Sequence, residues 1–573
     1  RRRHRRADRH GGRGRGHHAV VPLIPRRIGL LFAVFLALLA IAALRATYLG
    51  AVQGGQLKNA AATQQAAEVE VPARRGAIVD RLGVELAVTE PAEDISVTPY
   101  LVKDPVRAAE KLAPLLAQSE GDLLKKLTRR DTGFVYLARA MPAKKSHSVQ
   151  KLDIPGVAFT PSNRRIYPRE WLASQVLGTV GTDGKGLSGL EFSKNELLRG
   201  SAGTRRIVRD ALGDAISVRD PVRAEPGAKL SLTIDAAIQD KVEEVLQNVG
   251  AKYKPKGATA LVMDPRNGEL LAVANWPRVN ANDVADMPDY AKQNRAIGFN
   301  YEPGSTFKAI TVAGALEDGK VTPETAFNLP PQIVVADRTI GESHPRGYVT
   351  LKTKEILSQS SNVGSVMIGE RLGKKRFDHW VRRFGFGKPT GADLPGEEGG
   401  QVLPLEKYSG SSMGNLPIGQ GISVTPMQMA SAYGAIANGG IMRPARIVKS
   451  INGTATRMPE GRRVMKPQTS RALRQMLEGV LDPAGTGSQA KIPGYQLAGK
   501  TGTAEKVDEE TGLYSESKYI ASFVGFAPAN KPQLLVAVMV DEPNGAIYGG
   551  EVAAPAFQQI TSFSLNYLRI PPE

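Results

Sequence analysis

The sequence predicts an α/β (α+β) fold, in which one antiparallel sheet is sandwiched by helices and follows an elongated N-terminal module and a single membrane helix. The length of 573 residues exceeds that of one ordinary domain. Residues 28–44 form an apolar run without a charge. Farther along, strand-like runs lie at both ends of a helical middle, at residues 230–234, 259–263, 269–274, 519–525 and 533–541. Strands at both ends with helices between them favour one sheet covered by helices.

The apolar run predicts a membrane anchor. Its length reaches the lower limit of a spanning helix, which is about 17–25 residues, and Arg45 can direct its charge outward, so we expect the helix to continue to residue 49. Residues 1–27 carry ten arginines against one acidic residue. By the positive-inside rule, this basic tail lies in the cytoplasm and everything after residue 50 lies outside the cell membrane. A signal peptide cleaved at Ala40-Ile41-Ala42 is the alternative, and we favour the uncleaved anchor over residues 28–49.

Three features follow the anchor. Residues 50–70 are polar and alanine-rich, so we expect a helical stalk. Residues 105–127 show the spacing of short amphipathic helices. A basic, proline-marked stretch at residues 219–227 predicts the join between a non-catalytic module, residues 50–224, and a catalytic domain, residues 225–573.

The amino-acid composition narrows the kinds of partner and of catalytic chemistry that this chain can have. The net charge of +19 would suit nucleic acid, but residues 1–27 hold about half of it beside the membrane segment, so we expect no nucleic-acid partner. The chain has no cysteine, which excludes disulfides and a catalytic thiol. Beyond residue 18 the histidines are His147, His344 and His379, and none has the context of a Ser-His-Asp triad. No cluster has zinc-ligand spacing, and we expect neither a metal nor a cofactor.

Three short motifs occur in one order: Ser305-Thr306-Phe307-Lys308, then Ser360-Ser361-Asn362, then Lys500-Thr501-Gly502. A serine hydroxyl needs a base within hydrogen-bond reach, and positions i and i+3 share one face of a helix, so Lys308 can activate Ser305. Pro303-Gly304 breaks the preceding segment and predicts a helix that ends near Gly319. Unpaired N–H groups at the start of such a helix suit an oxyanion hole.

Lys308 acts as a base only when its amine is neutral. Burial and a second nearby cation both lower the pKa of a lysine, and Lys500 is the candidate second cation. We expect the two ammonium groups to approach each other across the site, joined through Ser360.

The third motif predicts an edge strand that binds substrate. Gly502 lets a substrate backbone lie close, and the hydroxyls of Thr501 and Thr503 can bind a carboxylate. The side chain of Asn362 can both donate to and accept from a substrate amide.

Residues 225–560 resemble the transpeptidase domain of class B penicillin-binding proteins, because the three motifs together are typical of penicillin-binding proteins and serine β-lactamases. Further strings carry the resemblance: Leu232-Thr233-Ile234-Asp235, Met263-Asp264-Pro265, Asn294-Arg295-Ala296, Tyr301-Glu302-Pro303-Gly304, Asp393-Leu394-Pro395-Gly396-Glu397, Ile418-Gly419-Gln420-Gly421 and Tyr548-Gly549-Gly550. Asp541-Glu542-Pro543 ahead of the last string resembles the division-specific subgroup more than the elongation-specific one.

The strings Arg75-Gly76-Ala77-Ile78, Arg165-Ile166-Tyr167-Pro168 and Gly186-Leu187-Ser188-Gly189-Leu190-Glu191 resemble the N-terminal module of the same proteins, a dimerisation-type pedestal. We expect the arginine and glutamate residues of these strings to form a buried ion-pair network that holds the module together, rather than to take part in catalysis.

The resemblance implies a serine-type D-Ala-D-Ala transpeptidase of the cell membrane that cross-links peptidoglycan stem peptides in septal wall synthesis and is acylated by β-lactam antibiotics. It implies catalytic roles for Ser305, Lys308, Ser360, Asn362 and Lys500, and substrate-binding roles for Thr501, Gly502 and Thr503. The oxyanion hole would consist of the backbone N–H groups of Ser305 and Thr503. The implied partners are a polytopic glycan-polymerising membrane protein and other division proteins.

Three alternatives remain open from the residues alone. The chain resembles the elongation-specific transpeptidase less closely than the division-specific one. A β-lactamase or D,D-carboxypeptidase uses the same three motifs and resolves its acyl-enzyme with water. A catalytically idle scaffold or β-lactam sensor would also keep the anchor and the pedestal module.

Overall fold

The computed structural model describes residues 23–53, 66–209, 215–285, 287–508 and 510–572. The chain divides into two compact units, one from residues 1–70 and 204–222 and the other from residues 71–203 and 223–573. The basic tail predicted for residues 1–27 lies largely outside the described residues. Residues 54–65 of the predicted stalk also lie outside them.

The first unit holds the long N-terminal helix, Leu23–Ala51, in which Ile28–Ala51 is long and apolar enough to cross a membrane. This confirms the predicted helix and extends it two residues beyond residue 49. A three-stranded sheet completes the unit, with strands Ala66–Val71, Gly203–Arg209 and Ala215–Val222. The helical stalk is therefore wrong for Ala66–Val71, where alternating glutamate and valine residues have the period of two that favours a strand.

The second unit begins with a strand-rich layer. Its long central strand, Glu85–Val97, pairs antiparallel with Val135–Pro142 and Val157–Ile166. Helices Pro105–Leu116 and Glu120–Leu127 confirm the two amphipathic helices predicted at residues 105–127, and each starts at a capping side chain, Asp104 or Ser119. The other elements of this part are Ile78–Val79, Ala143–Gln150, Ser174–Leu177, Gly189–Ser193, Asn195–Leu198 and the 3-10 helix Pro99–Leu101.

A buried ion-pair network joins the three strings of this part that resemble the family's N-terminal module. Glu191 is fully buried and accepts from Arg75 Nε at 2.5 Å and from Arg165 Nε at 2.7 Å. Arg75 also donates to the Asn195 side chain at 2.9 Å, and Arg165 donates to the carbonyl of Gly76 at 2.9 Å. The structural role predicted for these residues is confirmed.

Replacing Glu191 with glutamine should lower the free energy of unfolding by about 3–5 kcal/mol, because two buried guanidinium groups lose their shared counter-charge. Thermal unfolding of the full chain in detergent measures the effect as a lower midpoint. Glu244→Gln is the matched control, since the exposed Glu244 pairs with Lys241 outside the network, and its loss should change little. Equal midpoints for the two variants would contradict a stabilising role for the network.

The rest of the second unit is organised by a five-stranded antiparallel sheet. Its strands are β1 (Gly257–Asp264), β2 (Glu269–Trp276), β3 (Ala498–Val507), β4 (Tyr514–Ala527) and β5 (Leu534–Asp541), in the spatial order β2-β1-β5-β4-β3. All eight residues of β1 and of β5 are buried, so both faces of the sheet are covered. The sequence prediction of an antiparallel sheet sandwiched by helices is confirmed.

Five helices matter for the site: α1 (Ala236–Tyr253), α2 (Lys308–Glu317), α3 (Asn362–Leu372), α4 (Pro426–Ala437) and α5 (Gly549–Tyr567). α1 and α5 pack against each other and on the sheet, and α4 packs on β1 and β5. The apolar run predicted at residues 230–234 forms a shorter strand, Leu230–Leu232, which pairs with Ile78–Val79 and Val448–Ile451 rather than with the central sheet.

Short elements fill the connections of this region. The strands are Ala326–Leu329, Gln332–Val335, Arg338–Gly341, Val349–Lys352, Ile441–Met442, Thr454–Ala455 and Arg462–Arg463. The α-helices are Asp289–Lys292, Arg295–Gly298, Thr353–Ser358, Lys374–Arg383, Ser412–Asn415 and Pro467–Glu478. The 3-10 helices are Gly304–Phe307, Leu405–Lys407, Leu416–Ile418, Gly479–Leu481 and Ser488–Ala490.

Candidate active site

Ser305 lies in a 3-10 turn, Gly304–Phe307, that leads directly into α2. Gly304 has a φ of +52°, and a Cβ there would lie 2.9 Å from the carbonyl oxygen of Thr503 on β3. The turn is therefore pressed against the strand that carries the third motif. The helix predicted to end near Gly319 ends at Glu317, and Ser305 itself is half-buried at its entrance.

Two buried hydrogen bonds hold this turn in place. Thr306 donates its hydroxyl to the carbonyl of Pro303 at 2.7 Å. The hydroxyl of Tyr433 on α4, also fully buried, donates to the carbonyl of Thr306 at 2.7 Å. Because both bonds are shielded from water, the turn holds the Ser305 backbone in one position.

Lys308 is fully buried at the start of α2. Its Nζ donates to the carbonyl of Ser360 at 2.6 Å and to Asn362 Oδ1 at 2.6 Å, and lies 3.3 Å from Ser360 Oγ. Burial lowers the pKa of Lys308 to about 7, and the nearby Glu342 carboxylate partly opposes that shift. Lys308 thus exists partly as a neutral amine at neutral pH. The hydrogen bonds of the described residues do not include the expected direct one from Lys308 to Ser305.

The second motif presents its groups through an unusual backbone turn. Ser360 has a φ of +62°, the left-handed region that a serine rarely adopts. The next residue, Ser361, caps α3 by accepting from the N–H of Gly364 at 2.9 Å. The turn before this cap lets both Ser360 and Asn362 reach the same lysine.

Glu342 holds the second motif in place, although no pattern in the sequence selects it. Its carboxylate accepts from the Asn362 N–H at 2.6 Å and from the Ser361 hydroxyl at 2.6 Å, and Arg346 pairs with it. The Asn362 amide also donates to the carbonyl of Gly341 at 3.0 Å. A single glutamate in a polar loop has no sequence signal, because its role depends on contacts about twenty positions away along the chain.

Lys500 is fully buried on β3, which is the edge strand of the sheet, as predicted. Burial and the positive charge of Lys308 lower the pKa of Lys500 well below its usual value, so the two amines lie within electrostatic reach of each other. The expected link through Ser360 is wrong in detail: Lys500 Nζ donates to Thr501, at 3.2 Å to the carbonyl and 3.3 Å to the hydroxyl. Burial, and not the second cation, accounts for the lowered pKa of Lys308.

The structure gives a packing reason for Gly502 that the sequence did not predict. A Cβ at this position would lie 2.3 Å from Ser522 Oγ on β4 and 3.0 Å from the methyl group of Thr306. The space beside Gly502 is therefore filled by the protein, and the glycine lets β3 pack on the Ser305 turn. The expectation that its small size also admits a substrate backbone stays a prediction.

The two threonines of β3 flank Lys500 with hydroxyl groups. The hydroxyls of Thr501 and Thr486 share a hydrogen bond at 2.6 Å, and Thr503 Oγ1 accepts from the N–H of Gly549 at 3.1 Å. Thr503 still has its own hydroxyl proton to donate to a ligand. Gly549, which begins α5, also fits closely, since a Cβ there would lie 2.3 Å from the carbonyl of Gly502. The roles of Thr486 and Gly549 were not predicted.

The seven predicted site residues other than Ser305 therefore fall in two facing groups around it. One group, Lys308, Ser360 and Asn362, is joined directly by hydrogen bonds. The other, at residues 500–503, packs on the Ser305 turn through Gly502. A half-buried hydroxyl beside a partly neutral amine, with hydroxyl donors and a buried lysine opposite, suits attack on an acyl carbon near a carboxylate.

Two domain families match this chain. The penicillin binding protein transpeptidase domain matches residues 258–562, more than half of the chain, and the penicillin-binding protein dimerisation domain matches residues 70–232. The chain belongs to the penicillin-binding proteins. The predicted family, fold class and serine-type transpeptidase class are confirmed.

Curated relatives cover this penicillin-binding protein almost completely. Penicillin-binding protein PbpB of Mycolicibacterium smegmatis is 35% identical over 94% of this chain and 89% of its own length. Peptidoglycan D,D-transpeptidase FtsI of Escherichia coli is 32% identical over 96% of this chain and 92% of its own. Among solved structures, penicillin-binding protein 3 of Mycobacterium tuberculosis complexed with aztreonam is 31% identical, with a TM-score of 0.70 over 88% of this chain and 98% of that one.

Proposed function

We propose that this penicillin-binding protein is a membrane-anchored peptidoglycan D,D-transpeptidase of septal wall synthesis, with Ser305 as its nucleophile. The observation that carries the proposal is the fully buried amine of Lys308, whose pKa is lowered to about 7 and which lies one helical turn from Ser305. A lysine with this pKa can accept a proton from a serine at neutral pH. Relatives named as peptidoglycan D,D-transpeptidases support the substrate class.

In the acylation step, Ser305 Oγ attacks the carbonyl carbon between the two D-alanines of a donor stem peptide. The hydroxyl proton passes to neutral Lys308, and the backbone N–H groups of Ser305 and Thr503 donate to the developing oxyanion. The peptide bond then breaks, and the terminal D-alanine leaves with a proton on its amine. The donor peptide remains as an ester of Ser305.

Residues of the two facing groups hold the donor during this step. Thr501 and Thr503 donate hydroxyl protons to the terminal carboxylate, and the negative charge of that carboxylate favours the protonated form of Lys500, which donates to it. Asn362 hydrogen-bonds a substrate amide, and Ser360 relays a proton between Lys308 and the leaving amine. A neighbouring stem peptide then attacks the ester with its amine, forms the cross-link and releases Ser305.

A β-lactam undergoes only the acylation step. Its strained amide acylates Ser305, but the ring-opened leaving group stays attached and blocks the acceptor amine. Incubating the full chain with a labelled penicillin should therefore give a long-lived adduct, and a donor with an amine acceptor should give D-alanine and a cross-linked product. Rapid turnover to penicilloate without cross-linking would favour the hydrolase, and no uptake would favour an idle scaffold.

We place the chain in the cell membrane by its apolar helix Leu23–Ala51, with the N-terminus in the cytoplasm and the catalytic part outside. Ten arginines within residues 1–27 support this orientation. Residues 50–224 form the pedestal and residues 225–573 the transpeptidase domain, which the two matched families at 70–232 and 258–562 support.

The partners of this protein are a polytopic glycan polymerase and other division proteins, contacted through the anchor and the pedestal. A fluorescent fusion found along the lateral wall and absent from septa would contradict the septal role.

The rate of acylation should rise with pH through about 7. The neutral fraction of Lys308 increases as pH passes the pKa, whereas well below pH 7 the rate should fall about tenfold per unit. Stopped-flow uptake of a chromogenic cephalosporin between pH 5.5 and 8.5 measures the profile. A rate that is flat across this range would contradict Lys308 as the base.

Replacing Glu342 with glutamine should move the midpoint of that profile to lower pH. The carboxylate of Glu342 raises the pKa of Lys308, so its loss leaves burial unopposed. Glu370→Gln is the matched control, since Glu370 is exposed on α3 and outside the site. A fall in rate with no shift of the midpoint would mean that Glu342 acts only by bracing the second motif.

A further inference from the structure

A small cavity of about 220 Å³ opens between α4, the loop that follows residue 383 and the paired strands Ile441–Met442 and Arg462–Arg463. None of the eight predicted site residues is among those that line it. Three cationic side chains do line it: Lys388, Arg443 and Arg462.

These three cations have no carboxylate partner within the described ranges of the chain. Arg462 makes only a 3.8 Å contact with Met442 Sδ, and Arg443 only a 3.5 Å hydrogen bond to the carbonyl of Pro459. The Nε of Arg443 is buried without any partner. The acidic residue of the lining, Glu460, is highly exposed and pairs with Arg457 instead. The cavity is therefore left with an excess of positive charge.

The lining of the cavity also contains a buried hydroxyl without a partner. Ser431 of α4 is only 5% exposed, lines the cavity, and has an Oγ with no hydrogen-bond partner. Helical serines commonly return the hydroxyl to the carbonyl four residues earlier, as Ser365 and Ser564 do here at 2.7 and 2.8 Å. Ser431 lacks that bond, so its hydroxyl proton has no acceptor among the described residues.

The electrostatics also favour an anion. Burial and the positive charge of the neighbouring Arg383 lower the pKa of Arg462. The positive charge of Arg462 is therefore poorly balanced by negative charges around it. A bound anion would supply the missing charge to Arg462 and accept protons from Lys388, Arg443 and Ser431 together.

We propose that this cavity binds a phosphate group, carried either by a soluble ligand or by a lipid headgroup. Phosphate has enough oxygens for two guanidinium forks, an ammonium group and a hydroxyl at once, whereas a carboxylate has only two. The site is separate from the Ser305 chemistry, so its occupation is measurable with Ser305 intact or absent.

Titration of the full chain in detergent with inorganic phosphate, followed by calorimetry, tests the proposal. Binding should be saturable, and Lys388→Gln, Arg462→Gln and Ser431→Ala should each weaken it, the charge variants by about tenfold. Lys375→Gln and Arg471→Gln are matched controls, because both residues are exposed and outside the lining, and they should leave the affinity unchanged. Binding that does not saturate, or that the cavity variants and the controls affect equally, would overturn the proposal.

A second arm separates the two sources of phosphate. The chain is placed in nanodiscs of zwitterionic lipid and of anionic phosphatidylglycerol, and the phosphate titration is repeated. Equal affinity in both discs assigns the site to a soluble ligand, and loss of phosphate binding only in the anionic discs assigns it to a lipid headgroup. Penicillin uptake at Ser305 should stay normal in Lys388→Gln, Arg462→Gln and Ser431→Ala, which distinguishes failure at this cavity from failure of the enzyme.

Discussion

Replacement of Ser305 with alanine abolishes covalent capture of a β-lactam, with a fall in the acylation rate of at least about 10⁴-fold. The hydroxyl oxygen is the atom that forms the ester, so its removal leaves no atom at position 305 to be acylated. The variant should fold normally, because the Ser305 turn is held by Thr306 and Tyr433 and not by the Ser305 side chain. Gel detection of a fluorescent penicillin, with thermal unfolding to verify the fold, measures the effect.

Ser148→Ala is the matched control for this experiment. Ser148 and Lys151 have the same S-x-x-K spacing, but Ser148 is exposed on the helix Ala143–Gln150 and donates to its own helix at Lys144. Its loss should leave penicillin uptake unchanged. Uptake by Ser305→Ala at the rate of the unaltered protein would show that the nucleophile lies elsewhere.

Replacement of Lys308 with methionine should reduce acylation by about 10²–10⁴-fold, the usual contribution of a positioned base. Methionine keeps most of the side-chain volume in a fully buried position but cannot accept a proton. The pH dependence should also disappear, because the titrating group of the profile is gone. The measurement is the rate of cephalosporin uptake from pH 5.5 to 8.5.

The control for this second prediction is Lys151→Met, which alters a lysine with the same spacing from a serine outside the site. It should retain both the rate and the pH profile. If Lys308→Met kept a midpoint near pH 7, another group would be the base, and the buried amine of Lys308 would serve only to hold Ser360 and Asn362 in place.

The sequence predicted the central strands and helices well, because apolar runs and helix breaks depend on neighbouring residues alone. The apolar run at residues 533–541 becomes β5, where every residue from Leu534 to Asp541 is buried, and the break at Pro303-Gly304 is followed by the expected helix. The predicted helical stalk failed at Ala66–Val71, where alternation with a period of two outweighed the alanine-rich composition.

The same limit applies to the site: the sequence predicts relations between neighbouring residues, but not contacts between distant segments. Motif spacing identified the residues that surround Ser305, but it gave no pairing between distant segments. Glu342 meets Asn362, and Gly549 meets Thr503, only because the fold brings separate loops together. The reason for Gly502 also depends on such a contact, since Ser522 and Thr306 occupy the space beside it.

The central claim is that Ser305, activated by the uncharged amine of Lys308, forms an ester with its target. Mass spectrometry of peptides from the full chain after brief treatment with benzylpenicillin tests it most directly. We expect the mass of one opened penicillin on the peptide that contains Ser305, and on no other serine. The same mass on a different peptide, or unmodified protein after prolonged treatment, would contradict the account.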